Sequence, residues 1–197
     1  MLRPNYAQDA PPTDISVGGV AYPVDTDYRT WLHVMRTSRD LITRPKTADD
    51  VIHNMQIIAE LEQMVFGRII EHPADEVLST INDFCTGYPQ APVGEGKQGP
   101  PVYSFDYDLN YIIMAIRNQS GIDLSYRRKE PFHWWEFLLE FHALCGDHYI
   151  LRLMEIRGYD GKDRDMQRQA QRFALPRENT ADDQQALDAL DAMFPNA

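Results

Sequence analysis

Apolar residues recur at helical spacing along most of this chain, after two short β-prone runs near its start. Ile15, Val17, Val20, Tyr22 and Val24 flank Gly18-Gly19, and paired glycines between such runs supply the positive φ angles of a two-residue hairpin turn. Thr26 or Asp27 can cap a helix carrying Trp31, Leu32, Val34, Met35 and Leu41, which must end before Pro45. Thr47 and Asp50 have capping-box spacing, with Asp replacing the usual Glu. The positions Val51, Met55, Ile58, Leu61, Val65 and Ile69 that follow predict the longest helix. Pro73, Asp75 and Glu76 open the next one, whose apolar side is Val77, Leu78, Ile81 and Phe84.

The second half repeats the pattern. Ser104 reads as an N-cap with Asp106 and Asp108 in the first turn; Tyr107, Tyr111 and Met114 line one face, which Leu109, Ile112, Ile113 and Ile116 widen, and Gly121 ends the helix. Pro131 opens a helix on which Phe132, Trp134, Trp135, Phe137, Leu138, Leu139, Phe141 and Leu144 leave only His133, Glu136 and Glu140 polar, so it belongs in the middle of the fold. Trp31, Trp134, Trp135 and Phe137 are the large aromatics to place as core or interface. Neighbouring helical side chains diverge by about 100°, so Trp134 and Trp135 are both buried only if their helix is central, and core is the favoured reading. Tyr149, Ile150, Leu153, Met154 and Ile156 form another amphipathic helix, and Gly158 to Gly161 precede a solvated, charged stretch ending Phe173 to Pro176.

The fold class is therefore mainly α, with about six to seven helices and an N-terminal β-hairpin. Residues 1–14 read as a flexible arm, and residues 15–176 as one helical domain with a Pro/Gly linker at 88–101. Residues 177–197 read as an acidic tail or docking helix, on which Leu187, Leu190, Met193 and Phe194 share a face suited to a partner's groove.

Composition narrows the function. The chain has 197 residues, 43% of them hydrophobic, enough for a sizeable core. Its 19 basic and 30 acidic side chains give a net charge of −11, which repels phosphate backbones and anionic lipid. The cluster Arg127, Arg128, Lys129 joins two apolar segments and reads as a solvated connection. Cys85 and Cys145 sit beside aromatic residues, where free thiols pack as small hydrophobes, in keeping with a reducing cytoplasm. Met1 to Ala10 contains no apolar signal core, and no apolar run approaches the roughly 20 residues of a membrane span, so a soluble, unexported chain is expected.

No phosphate-binding glycine loop, HExxH pair, CxxC pair or serine elbow occurs, so neither an enzyme nor a cofactor-binding protein is expected. His133 and Glu136, with Glu140, share a helical face, but a di-metal bundle needs two Glu-x-x-His helices and here one pair stands in reversed order. A calcium loop begun at Asp163, near Asp160 and Asp165, would put Arg168 where Gly is required and Ala174 where Glu belongs. His142, Cys145 and His148 are three neighbours where a structural zinc site wants four. No metal site is expected.

Two blocks carry a family resemblance. One runs from Gly18 to Leu32 and contains Thr26-Asp27-Tyr28-Arg29-Thr30-Trp31; the other begins Tyr103-Ser104-Phe105-Asp106-Tyr107-Asp108, passes Tyr111-Ile112, Gln119 and Gly121-Ile122-Asp123-Leu124, and ends Phe132-His133-Trp134-Trp135-Glu136-Phe137. With the charged stretch from Arg164 to Pro176, they resemble the bacteriophage "gene product fifteen" family over most of residues 15 to 176. The resemblance brings no catalytic residue. It implies a protein encoded between the major tail protein and the tape-measure protein of long-tailed phages, a position typical of tail assembly chaperones, which keep the tape measure soluble until tail-tube subunits displace them. On that reading the partners are the tape-measure protein, further copies of this chain and, as a second candidate, the major tail protein, all in the host cell cytoplasm. A minor tail component retained in the virion is the alternative.

Overall fold

A computed structural model of the protein describes residues 9–87 and 101–176. Within them the chain forms two compact units, one ending at Gly87 and one at Pro176. Residues 1–8 of the expected arm, residues 88–100 of the expected linker, and the whole of 177–197 with Leu187, Leu190, Met193 and Phe194 lie outside the described residues.

The first unit opens with strands β1 (Asp14–Val17) and β2 (Val20–Pro23), paired antiparallel with Val17 opposite Val20, so that Gly18 and Gly19 alone make the turn. Both have positive φ, 58° and 82°, as the expected tight turn requires. Gly18 is needed twice over: a Cβ there would sit 2.7 Å from Cε1 of His72, whose Nε2 is 2.8 Å from the Tyr22 hydroxyl. Alternation turns Ile15 and Val17 inward, and β1 packs on α3 (Ala74–Thr86), which buries Val77, Ile81 and Phe84.

Helix α1 (Tyr28–Thr37) starts at the Asp27 cap and buries Tyr28, Trp31 and Val34. A short 3-10 turn, Ser38–Asp40, follows, and Leu41 lies beyond it in extended backbone rather than on the helix. Helix α2 (Ala48–Phe66) has the expected capping box between Thr47 and Asp50 and is the longest helix described. Its apolar stripe is only half used. Leu61 and Val65 are buried, whereas Val51 and Met55 are exposed, and Ile69 falls outside the helix because Gly67 ends it in left-handed conformation.

The second unit contains α4 (Phe105–Ser120), α5 (Trp134–His142), α6 (Tyr149–Arg157) and α7 (Arg164–Arg172). Helix α4 packs against α5 and α6, and α6 against α7. The described residues are thus mainly α, seven helices with one two-stranded hairpin. No helix among them is long and apolar enough to cross a membrane.

Helix α5 begins three residues later than expected. Pro131 and Phe132 precede it, and His133, in extended backbone, is the N-cap, its Nδ1 accepting the Trp135 N–H at 3.0 Å. Both tryptophans are nonetheless buried, as a central helix demands.

Candidate functional site

The aromatic residues singled out in the sequence are core. Trp31, Trp134, Trp135 and Phe137 are exposed by only 0%, 1%, 3% and 0%. Trp31 stacks on Phe84 with ring centroids 4.4 Å apart and donates Nε1–H to the Asp25 carbonyl at 2.7 Å. Trp134 stacks on Phe137, and Phe105 approaches both rings. Such stacked and edge contacts add to the area the rings bury, and the hydrogen-bonded Trp31 N–H carries no unsatisfied cost.

What the second unit leaves uncovered is a different set. Helix α4 buries Phe105, Asp108, Ile112, Ala115 and Ile116, a face with 3-4 spacing that includes an aspartate. Tyr107, Tyr111 and Met114, expected on the packed side, point the other way and are exposed by 51%, 45% and 52%. They lie at i, i+4 and i+7, and Tyr149 of α6, 49% exposed, meets Tyr111 with ring centroids 4.8 Å apart. The result is an aromatic-rich surface strip on α4 and α6. In the first unit, Val51, Ile52 and Met55 make a second exposed apolar group on α2.

Asp108 decides which face of α4 turns inward. It sits in the first helical turn, where its charge suits the helix dipole, but its larger role is as partner of Arg157 at the end of α6. Arg157 also donates to the carbonyls of Val102 at 3.1 Å and Phe173 at 2.8 Å, while Asp108 accepts the Ser104 N–H at 3.0 Å. A buried arginine and aspartate with this many partners satisfy each other's charge and tie the start of α4 and the end of α7 to the end of α6. Apolar periodicity cannot find this pair, because it scores Asp108 as a break in the stripe.

The metal candidates resolve into capping and surface roles. His133 caps α5, Glu136 is exposed, and Glu140 accepts from the Ser120 hydroxyl. Asp163 caps α7, taking the N–H groups of Asp165 and Met166, and Asp160 is exposed. Cys145 is held by Gln119, which accepts its N–H at 2.9 Å, and His148 is the N-cap position of α6. Among the described residues no group of three His, Cys, Asp or Glu is placed to hold a metal ion.

The thiols differ from expectation in one respect. Cys85 is half-buried and burial pushes its thiol up to about 12, but Cys145 is exposed rather than packed. Arg127 and Lys129 are exposed, and Arg128 lies over Phe132, as a solvated connection would have it.

Residues 8–175 match the family described as Bacteriophage Gp15 protein. The chain belongs to that family. No curated protein and no solved structure matches it. As a Gp15 phage protein it can be read motif by motif. In the first block, Asp25 accepts from the Asp27 N–H and the Thr30 hydroxyl, and Asp27 caps α1 and binds the Arg29 guanidinium with Nη2 to Oδ2 at 2.5 Å. The Asp27 hydrogen bond raises the Arg29 pKa. In the second block, Phe105 and Asp108 face the core and Tyr107 faces out. The Gp15 motif residues mostly hold the fold together, while Tyr107 and Tyr111 are exposed on its surface.

Proposed function

We infer that this Gp15 protein is a tail assembly chaperone that binds the tape-measure protein and keeps it soluble until the tail tube is built. Support comes from the family and from the exposed strip of Tyr107, Tyr111, Met114 and Tyr149, which is the observation that carries the reading. Three side chains at i, i+4 and i+7 beside a fourth from a neighbouring helix offer a long amphipathic client helix the anchor spacing it needs. Tyrosine suits reversible contacts, since it buries apolar area and keeps a hydroxyl for water or a partner. The net charge of −11 keeps the unoccupied chaperone soluble.

The partners on this reading are the tape-measure protein, further copies of this chain and the major tail protein, in the host cell cytoplasm, with neither nucleic acid nor membrane involved and no catalysis. Co-expression with the tape-measure protein of the same phage tests it. A tape measure that turns soluble and co-purifies supports the chaperone; one that stays insoluble, with this chain found in purified particles, supports a structural tail component instead.

A further inference from the structure

Leu61 and Val65 hold α2 to the first unit, where it packs against α1 and α3. At about 100° per residue, Ala48, Ile52, Met55 and Ala59 fall together within a stripe about 60° wide on a different face of the helix. Their spacing, i, i+4, i+7 and i+11, is that of a coiled-coil seam rather than the broader stripe of a helix packed into a core. Ala48, Ile52 and Met55 are exposed, Ala59 is half-buried, and exposed Val51 widens the seam on one side. Past Ala59 the same face is already in use, with Glu62 accepting the Ile70 N–H and Phe66 set against Tyr22. The open part is therefore short and apolar, with an alanine at each end where another backbone can come close.

The edge of the seam decides what can lie on it. Asp49, Gln56, Glu60 and Gln63 line one side, all exposed, and among the described residues neither Asp49 nor Glu60 is in an ion pair. The helix itself carries no Lys or Arg. A second copy of this chain does not suit such an edge: paired antiparallel about Met55, Asp49 of one copy meets Glu60 of the other, and paired parallel each acid meets its own kind. Anionic lipid is repelled in the same way. We propose that this face of α2 docks an amphipathic helix of a partner protein, one with apolar residues at its own seam positions and Lys or Arg beside them. Ile52 and Met55 are the apolar anchors, the methionine adapting to the side chain opposite, while Asp49 and Glu60 set orientation and reject acidic helices. The proposal stands apart from the strip on α4 and α6 and from the identity of its client.

Fluorescence anisotropy on the full-length chain at low salt tests it, with two labelled helical peptides as probes: one with Leu at a and d and Lys at e and g, and a twin with Glu in place of Lys. Like charges at e and g keep each peptide from pairing with itself. The Lys peptide is expected to bind roughly tenfold or more tightly than its twin. Ile52→Ser/Met55→Ser alters only exposed side chains and should keep the circular dichroism of the unaltered chain, yet lose about tenfold or more of that affinity. Asp49→Lys/Glu60→Lys should turn the preference toward the Glu twin. Equal binding of the two peptides, or binding of neither, would overturn the proposal, as would affinity that survives Ile52→Ser/Met55→Ser or a preference that Asp49→Lys/Glu60→Lys leaves unchanged. Dimers of the unaltered chain that grow with concentration and vanish in Ile52→Ser/Met55→Ser would make a second copy the occupant and overturn it too.

Discussion

Arg157 closes on Asp108 with both ends of its guanidinium, Nη1 2.6 Å from Oδ2 and Nη2 3.1 Å from Oδ1, while only 9% and 2% of the two side chains are exposed. One contact thereby joins the first turn of α4 to the last residue of α6, and its spare N–H groups hold Val102 and Phe173. It orients α4 so that Tyr107, Tyr111 and Met114 look outward.

Breaking one side of this pair leaves a buried charge without its partner. Arg157→Ala is expected to cost about 3–5 kcal/mol in chemical denaturation, with Asp108→Ala close behind, because the survivor must be desolvated alone. Arg157→Lys should recover only part, since an ammonium cannot serve two carboxylate oxygens and two carbonyls from one plane. A loss under about 1 kcal/mol for Arg157→Ala would show the pair to be solvated.

Trp135 is buried in the second unit, so Trp135→Ala should lower stability by about 3–5 kcal/mol through the cavity it leaves. A loss below about 1 kcal/mol would place the ring at the surface.

The two thiols should separate by reactivity. Burial pushes Cys85 up to about 12, so it carries almost no thiolate at pH 8, whereas Cys145 is exposed. Brief treatment with iodoacetamide at pH 8 is expected to add one carbamidomethyl group per folded chain, on Cys145, and two in denaturant. Modification of Cys85 in the folded chain at a rate matching Cys145 contradicts this.

Glu62 should make stability depend on pH. It is buried, and burial raises its pKa, offset by the Ile70 N–H it accepts and by His72 nearby. The folded carboxyl therefore prefers its proton, while the unfolded one ionises in the ordinary glutamate range near about 4.3. Stability from this group is full below that range and falls as pH rises through the folded value. Relative to the unaltered chain, Glu62→Gln should gain stability between about pH 4 and pH 7. Denaturation curves at the two pH values read the difference, and one that is constant or runs the opposite way removes Glu62 as its source.

Much of the fold was legible because local chemistry enforces it. Gly18-Gly19, Asp27, the Thr47 and Asp50 capping box, Ser104 and Gly121 act within a few residues of themselves, and each stands where its chemistry predicts. The faces of helices were less legible. Apolar spacing on α4 admitted the tyrosines as core because it could not weigh a buried aspartate, whose partner lies 49 residues away. On α2 it ran past Gly67 and enlisted Val51, Met55 and Ile69, which the fold leaves uncovered. The candidate site was missed for that same reason. Trp134 and Trp135 drew notice by size and are core, while the surface strip consists of residues that looked like ordinary helix packing.

The central claim is that the strip on α4 and α6 holds the tape measure. Tyr107→Ser/Tyr111→Ser/Met114→Ser/Tyr149→Ser removes four exposed side chains, so its melting temperature should stay within a few degrees of the unaltered chain. Co-expression of each chain with the tape-measure protein, followed by a solubility assay and co-purification, is the direct measurement. The account predicts that the unaltered chain keeps the tape measure soluble and bound while the fourfold variant, still folded, does neither; equal solubilisation by both chains, or none by either, would contradict it.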